Sequence, residues 1–539
     1  MRWKITLGLL TALLSVTNAA NAKSPYRDEV QKAAREAVKE AKTAAGVIPL
    51  LTLATLEVDA PPGVVRAELE RLSRDAKLPP GRRALAKRLF ARSLVAAGDL
   101  ARSEAIVDEL GYVRDFMVIG PFDNEGKAGL DEPTGAESLV EGEVQPGLTL
   151  RGKERDVTLR AMPRGGYLGY VDLDAVMRPN ESVCAIAATT VKAPKAMPLL
   201  LHVGVGGAYR LFWNGVEVMR DEAYRGPFPD RDVVAVGAHA GENRLAIKVC
   251  VERRAFGFST RITGVDGNRV AGLEIDGSSL PVTPTGHGVE IPSAPKSDFR
   301  VLAEAATREG AKAIDLERYA RFLALTGSDD PAENLAEQLA RRAAEEEPTP
   351  ERIAFAAALA SQRGEAMKLV AIASRRFPND PRTLLLEAQL KATSYDPPSA
   401  LPILDRIPAR GKEGYLARDL RADVFEGMGL PETALVECEA NLRTAEGSRS
   451  AKLAVLRLLG TLDRDEQVEA LRRELVADKY DDVSNRKVLL AIALYRGRTD
   501  EVKAHLEAIR AVTWGRAGDA IYAANVLEAI GDQDGALSV

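Results

Sequence analysis

Hydrophobic and polar positions along the chain change their period twice. Over residues 24–111 apolar residues recur at helical spacing, most clearly over 28–42 and 82–97, with short breaks between. The stretch 94–107 reads as the turn and second helix of a helical hairpin, with Gly98 at the break. Over 112–278 the pattern becomes alternating, rich in Val, Gly and aromatics, with turn signals every ten or so residues. Asn214-Gly215 stands between two β-prone runs and suits a tight hairpin, because both residues tolerate positive φ. Gly241 opens another alternating strand. Short strands without intervening helices predict an all-β sandwich, jelly-roll-like. Residues 279–297 hold Pro281, Pro284, Pro292 and Pro295 among Ser, Thr and Gly, and predict a stiff linker.

From residue 298 the pattern is helical and repeats. Gly327, Ser361, Tyr395, Gly429, Asp463, Gly497 and Gly531 follow one another at intervals of 34. Five residues after them stand Ala332, Ala366, Ala400, Ala434, Val468, Val502 and Ala536. Seven residues before them stand Ala320, Ala354, Ala388, Ala422, Leu456, Leu490 and Ala524. A period of 34 is that of the tetratricopeptide repeat, a helical hairpin whose small residues sit where the two helices cross. The large aromatics usual in that repeat are mostly missing, so the repeats are degenerate. The fold class expected is α+β and multidomain. A signal peptide covers 1–22, a helical region 23–111, a β-sandwich 112–278, a linker 279–297 and a repeat solenoid 298–539. The seventh hairpin has only a few residues beyond its turn, so the solenoid reads as cut short at its C-terminus.

Composition narrows the function classes. The chain has 539 residues, 46% hydrophobic and 28% charged, with a net charge of −5. These values exclude wholesale disorder and a polytopic membrane protein, and leave no basic field for nucleic acid. Arg2 and Lys4 precede an apolar run over 5–16, and Ala20 and Ala22 occupy the small-residue positions of a cleavage site. That run is too short to span a bilayer, so a secretory signal and an exported protein, periplasmic or secreted from a Gram-negative bacterium, are expected, with no membrane span after cleavage. In an oxidising compartment Cys184 and Cys250, both in strand-like runs, are candidates for a disulfide. Each equally suits a small buried apolar position. Alternation puts Cys250 on the outward face with Lys248, away from Leu245, Ile247 and Val249.

Two stretches together resemble a known family. The run over 115–126, with Val118-Ile119-Gly120-Pro121-Phe122-Asp123-Asn124-Glu125-Gly126, resembles a segment of exported tetratricopeptide proteins of the myxobacterial type. The run over 201–262 is similar to a galactose-binding-like jelly roll. Longer proteins of this kind continue into a transglutaminase-like region, which makes this chain resemble the front part of a larger protein. The shared motifs are structural, and none implies a catalytic residue.

Catalytic constellations are not apparent in the sequence. A papain-like or transglutaminase-like site needs a Cys activated by an oriented His. Cys184, Cys250 and Cys438 with His202, His239, His287 and His505 show no such arrangement. Residues 204–207 are glycine-rich, yet no Lys and helix follow as a phosphate loop requires. Asp532-Gln533-Asp534-Gly535 imitates a calcium loop without its closing Glu. The expectation is a non-catalytic protein with no cofactor and no metal. Its repeats would bind protein partners in a groove lined by the first helix of each hairpin. Arg382, Gln389, Asp419, Asp423, Arg457, Lys487 and Asn525 fall at groove-facing positions, and their mixed charge points to a protein. The bland alternative is a solvated face. The rival function is glycan binding by the sandwich, where Tyr209, Trp213, Tyr224 and Phe228 lie near loops; these aromatics equally suit its core.

Overall fold

The computed structural model describes residues 24–539 apart from 146, 164–166, 254, 446 and 514–515. The leader expected over 1–22 lies outside the described residues. The chain is α+β, with a curled antiparallel sheet in its middle and helices before and after it. It divides into two compact units. One holds the residues up to Arg74 with Lys312–Glu317 and Glu337–Asn485. The other holds Asp75–Ala311, Arg318–Ala336 and Arg486–Val539. Each draws on separated stretches, whereas composition divides the chain into consecutive blocks. Among the described residues no helix is long and apolar enough to cross a membrane.

The first helices are α1 (Pro25–Lys39), α2 (Val47–Leu56), α3 (Val64–Ser73), α4 (Pro80–Ala96) and α5 (Leu100–Glu109). Pro25 and Pro80 suit their places in a first turn, where a missing N–H costs nothing. The strands follow: β1 (Met117–Asp123), β2 (Thr149–Arg151), β3 (Asp156–Thr158), β4 (Arg160–Ala161), β5 (Tyr170–Asp172), β6 (Val183–Ala193), β7 (Met197–Trp213), β8 (Val216–Arg225), β9 (Asp232–Ala238), β10 (Gly241–Val251), β11 (Gly257–Thr263) and β12 (Glu274–Asp276). The expected sandwich is one sheet continuous through β7. The first half of β7 pairs with β9 and β11, and its second half with β8 and β10.

The glycine-rich run 204–207 lies along this strand. A Cβ on Gly204 would stand 2.0 Å from the Phe228 carbonyl oxygen, one on Gly206 2.0 Å from that of Ala255, and one on Gly207 2.1 Å from that of Cys250. Those glycines therefore let neighbouring backbones approach β7. At its end, Asn214 and Gly215 take φ of 49° and 81°, the paired positive angles of a two-residue hairpin into β8.

Leu199, Leu201, Leu211, Trp213, Leu245, Ile247, Val249 and Phe258 fill the core inside the curl. The opposite face of β6 and β10 is not solvated as alternation suggests. Leu130, Leu139, Val157 and Leu159, from the chain between β1 and β4, cover it and make a second core. Cys250 is therefore fully buried, opposite Cys184 on the adjacent strand, and a disulfide joins them. Lys248 is buried with it and donates to the Glu132 carbonyl at 2.7 Å. Residues 279–297, expected as a linker, run along the sheet instead. Gly286 donates to Asn214 O, Gly288 to Gly237 O, and the Leu280 and Pro281 carbonyls accept from Arg244.

The remaining helices are α6 (Asp298–Thr307), α7 (Ala313–Thr326), α8 (Leu335–Glu346), α9 (Pro350–Leu359), α10 (Arg363–Arg376), α11 (Pro381–Ala392), α12 (Leu401–Leu404), α13 (Gly411–Gly427), α14 (Pro431–Thr444), α15 (Arg449–Thr461), α16 (Asp465–Asp478), α17 (Val483–Tyr495), α18 (Thr499–Thr513), α19 (Ala517–Ala529) and α20 (Gln533–Leu537). Successive first helices α15, α17 and α19 begin 34 residues apart, at Arg449, Val483 and Ala517. Gly327, Gly429, Asp463, Gly497 and Gly531 all have positive φ at the turns. Ala388 and Ala422 are buried at the crossing position, as are Ala400 and Ala434 on the second-helix side.

Two hairpins depart from the repeat. After Gly327 the second helix starts only at Leu335, so Ala332 lies exposed in the loop and Ala336 is buried in its stead. In the third, Pro397, Pro398 and Pro402 reduce the second helix to a 3-10 turn and one short helix, since proline neither donates nor fits inside a helix.

Candidate functional site

Five of the seven expected groove residues stand on the face of the first helices α9, α11, α13 and α15. Asp380 caps α11 by accepting from the Arg382 backbone at 2.9 Å, and Pro381 follows the cap. This fixes Arg382 at the start of the helix. Its guanidinium reaches Glu351 on α9 at 2.8 Å and Glu413 on α13 at 3.4 Å. Gln389 stands exposed on α11. On α13, Asp423 pairs with Arg457 of α15 at 3.1 Å, and Glu426 joins the same guanidinium. The face is thus a run of alternating charges, each bridging one first helix to the next.

Asp419, one turn before Asp423, has no such partner among the described residues. Burial pushes its carboxyl up from the ordinary range, Asp423 and Asp59 push the same way, and Arg457 opposes them. Beneath it Cys438 is buried, its thiol pushed up to about 12 by burial and by Asp419 and Asp423. A thiol so far from ionising is a poor nucleophile.

The sequence does not foreshadow Asp59 here. The N-terminal helices pack on this same face. Tyr26 of α1 sets its ring edge-on to Tyr415 of α13, centroids 5.5 Å apart. The Val58 carbonyl accepts from the Arg449 backbone at 2.8 Å. Asp59 accepts from the Ser448 and Ser450 hydroxyls at the start of α15. A Cβ on Gly447 would stand 2.4 Å from Pro62 Cδ. Only the helical pattern of 24–111 is legible in the sequence; nothing in it names the surface that those helices cover.

The other two expected groove residues belong to the other unit. Lys487 pairs with Asp519 at 3.0 Å and lies over the Tyr522 ring at 4.7 Å. Asn525 is exposed on α19. The seven residues therefore do not stand in one unit.

Of the four aromatics expected near sugar-facing loops, two are core. Trp213 donates from Nε1 to Gly237 O at 3.1 Å, and Tyr209 donates to Asp232 at 3.0 Å, both fully buried. Phe228 lies edge-on to Phe322. Tyr224 borders a cavity of about 300 Å³ with Lys127, Glu252, Arg253 and Asp330. The Lys127 ammonium sits over its ring at 4.5 Å, where a sugar would have to stack.

No family model matches the chain, and no curated protein matches it. Among solved structures, a chain of the human IFIT1 dimer with m7Gppp-AAAA aligns at 11% identity and a TM-score of 0.30. The alignment covers 45% of this chain and 62% of that one, less than two thirds of its length. A likeness at that level supports no inference about function.

Proposed function

We propose that this is an exported, non-catalytic protein that binds other proteins along the first-helix face of a degenerate tetratricopeptide solenoid. One observation carries the reading. Glu351, Arg382 and Glu413, then Asp423 and Arg457, pair across successive first helices and present both signs along one face. Alternating charge suits an extended polypeptide with polar side chains better than a uniformly charged polymer. Export rests on residues 1–22 and is supported by the Cys184–Cys250 bond, since disulfides persist in oxidising compartments. The curled sheet is read as a β-sandwich of the galactose-binding-like kind. Its glycan-binding role ranks second, because Tyr209 and Trp213 are fully buried and the Lys127 ammonium lies over the Tyr224 ring.

A photo-crosslinking side chain at Gln389, on the proposed face, tests the reading against one at Met367, exposed on α10. A discrete protein adduct from position 389 and none from 367 is expected. Adducts from 367 alone would refute it. A glycan array probed with the whole chain and with Tyr224→Ala tests the second reading.

A further inference from the structure

The N-terminal helices are not held by their covalent neighbours in the unit that they join. Residue 74 leads into Asp75–Ala311 of the other unit, so 24–74 reach α13 and α15 only through non-covalent contacts. Those contacts include the Tyr26–Tyr415 ring pair, a backbone hydrogen bond to Val58 O, the Asp59 bonds to Ser448 and Ser450, and Pro62 against Gly447.

One feature opposes the docking. Asp59 is brought near Asp419, a half-buried carboxylate without a hydrogen-bonded or ion-paired partner among the described residues, and Asp423 adds a third negative charge. Like charges brought together out of water repel more strongly than in it. Release of the N-terminal helices would relieve that repulsion.

We propose that residues 24–74 form a separable cover over the start of α13 and α15, restricting that part of the face to partners able to displace it. This rests on the binding reading above for its partner, though not for the cover itself. A partner engaging only α9 and α11 would leave the cover in place. One engaging Asp419 would exchange a repelling carboxylate for its own side chain.

Native-state hydrogen exchange on the whole chain, read by mass spectrometry, tests the cover without any partner. Amides of 25–73 should exchange together and at least tenfold faster than those of α13 to α16. Tyr26→Ala should speed 25–73 at least a further tenfold and leave α14 and α16 as in the parent. Equal exchange of 25–73 and α13–α16 in the parent would overturn the proposal, whatever the variant does. Access is then read from a photo-crosslinker at Leu453, exposed on α15, whose adduct should rise at least threefold with Tyr26→Ala. An unchanged adduct, alongside one from position 389, would also overturn it. Absence of adducts from both positions would instead count against the binding reading, with the cover still judged by exchange.

Discussion

Asp423 and Arg457 occupy the same position in successive hairpins, 34 residues apart, and their side chains meet at 3.1 Å. The sequence period thereby becomes a contact. It also changes how the face should be probed. Arg457→Glu would set three acidic side chains together, Asp423, Glu426 and the new one, and confuse lost binding with lost stability. Exchanging the two charges keeps the Asp423–Arg457 pair and leaves a single repulsion, between Glu426 and the acid then at position 457.

Ala422 is 1% exposed where α13 crosses its neighbours, among Leu435, Cys438, Leu456 and Leu459. Ala422→Trp should overpack this crossing and cost about 1–3 kcal/mol. Chemical denaturation checks it. A parent-like midpoint would mean that the register places another residue there.

Asp232 is fully buried and accepts from Tyr209, Arg231 and Arg300. The network ties β7 and β9 to α6. Asp232→Ala leaves Arg231, also fully buried, with the Val205 and Gly226 carbonyls and with Asp221, at 3.4 Å, as the carboxylate nearest to its charge. Removing one partner of a buried pair costs about 3–5 kcal/mol. The variant should melt well below the parent in calorimetry, and Asp232→Asn should recover part of the loss.

His202 is buried between Thr263 and Arg261. Burial pushes it down to about 4, Arg261 adds to that, and Asp230 opposes. The unfolded chain then binds the extra proton between about pH 6.5 and 4, so stability falls as pH falls through that window. Between pH 6.5 and 5 the loss from this group is about 1.5 kcal/mol. Denaturation at the two pH values should show a smaller difference for His202→Gln than for the parent.

The chain has three cysteines. With Cys184 and Cys250 joined and Cys438 buried, thiol titration of the denatured chain should give one group without reductant and three with it. A loop of 66 residues closed by that bond stabilises the fold by about 4 kcal/mol. Cys184→Ala with Cys250→Ala should lower the denaturation midpoint accordingly.

What was legible in the sequence is local. The 34-residue period names the turn residues Gly429, Asp463 and Gly497, and Asn214-Gly215 names its hairpin, because each encodes a backbone angle within a few residues. What was hidden is which distant segment covers a face. Cys250 and Lys248 alternate as outward residues, yet Leu130 and Leu139 bury them from more than a hundred residues away. The glycines at 204–207 look like a loop and serve a strand, because close backbone approach and ligand approach ask for the same missing Cβ. The groove residues are legible one by one, but not Tyr26 and Asp59 upon them, since docking between remote segments leaves no periodic trace.

The most direct test combines the crosslinker at Gln389 with the exchanged pair, Asp423→Arg with Arg457→Asp. The account predicts that the protein adduct formed by the parent falls at least tenfold while the denaturation midpoint stays within about 0.5 kcal/mol of the parent's. A full adduct from the exchanged pair, at unchanged stability, would contradict recognition by the charges of this face.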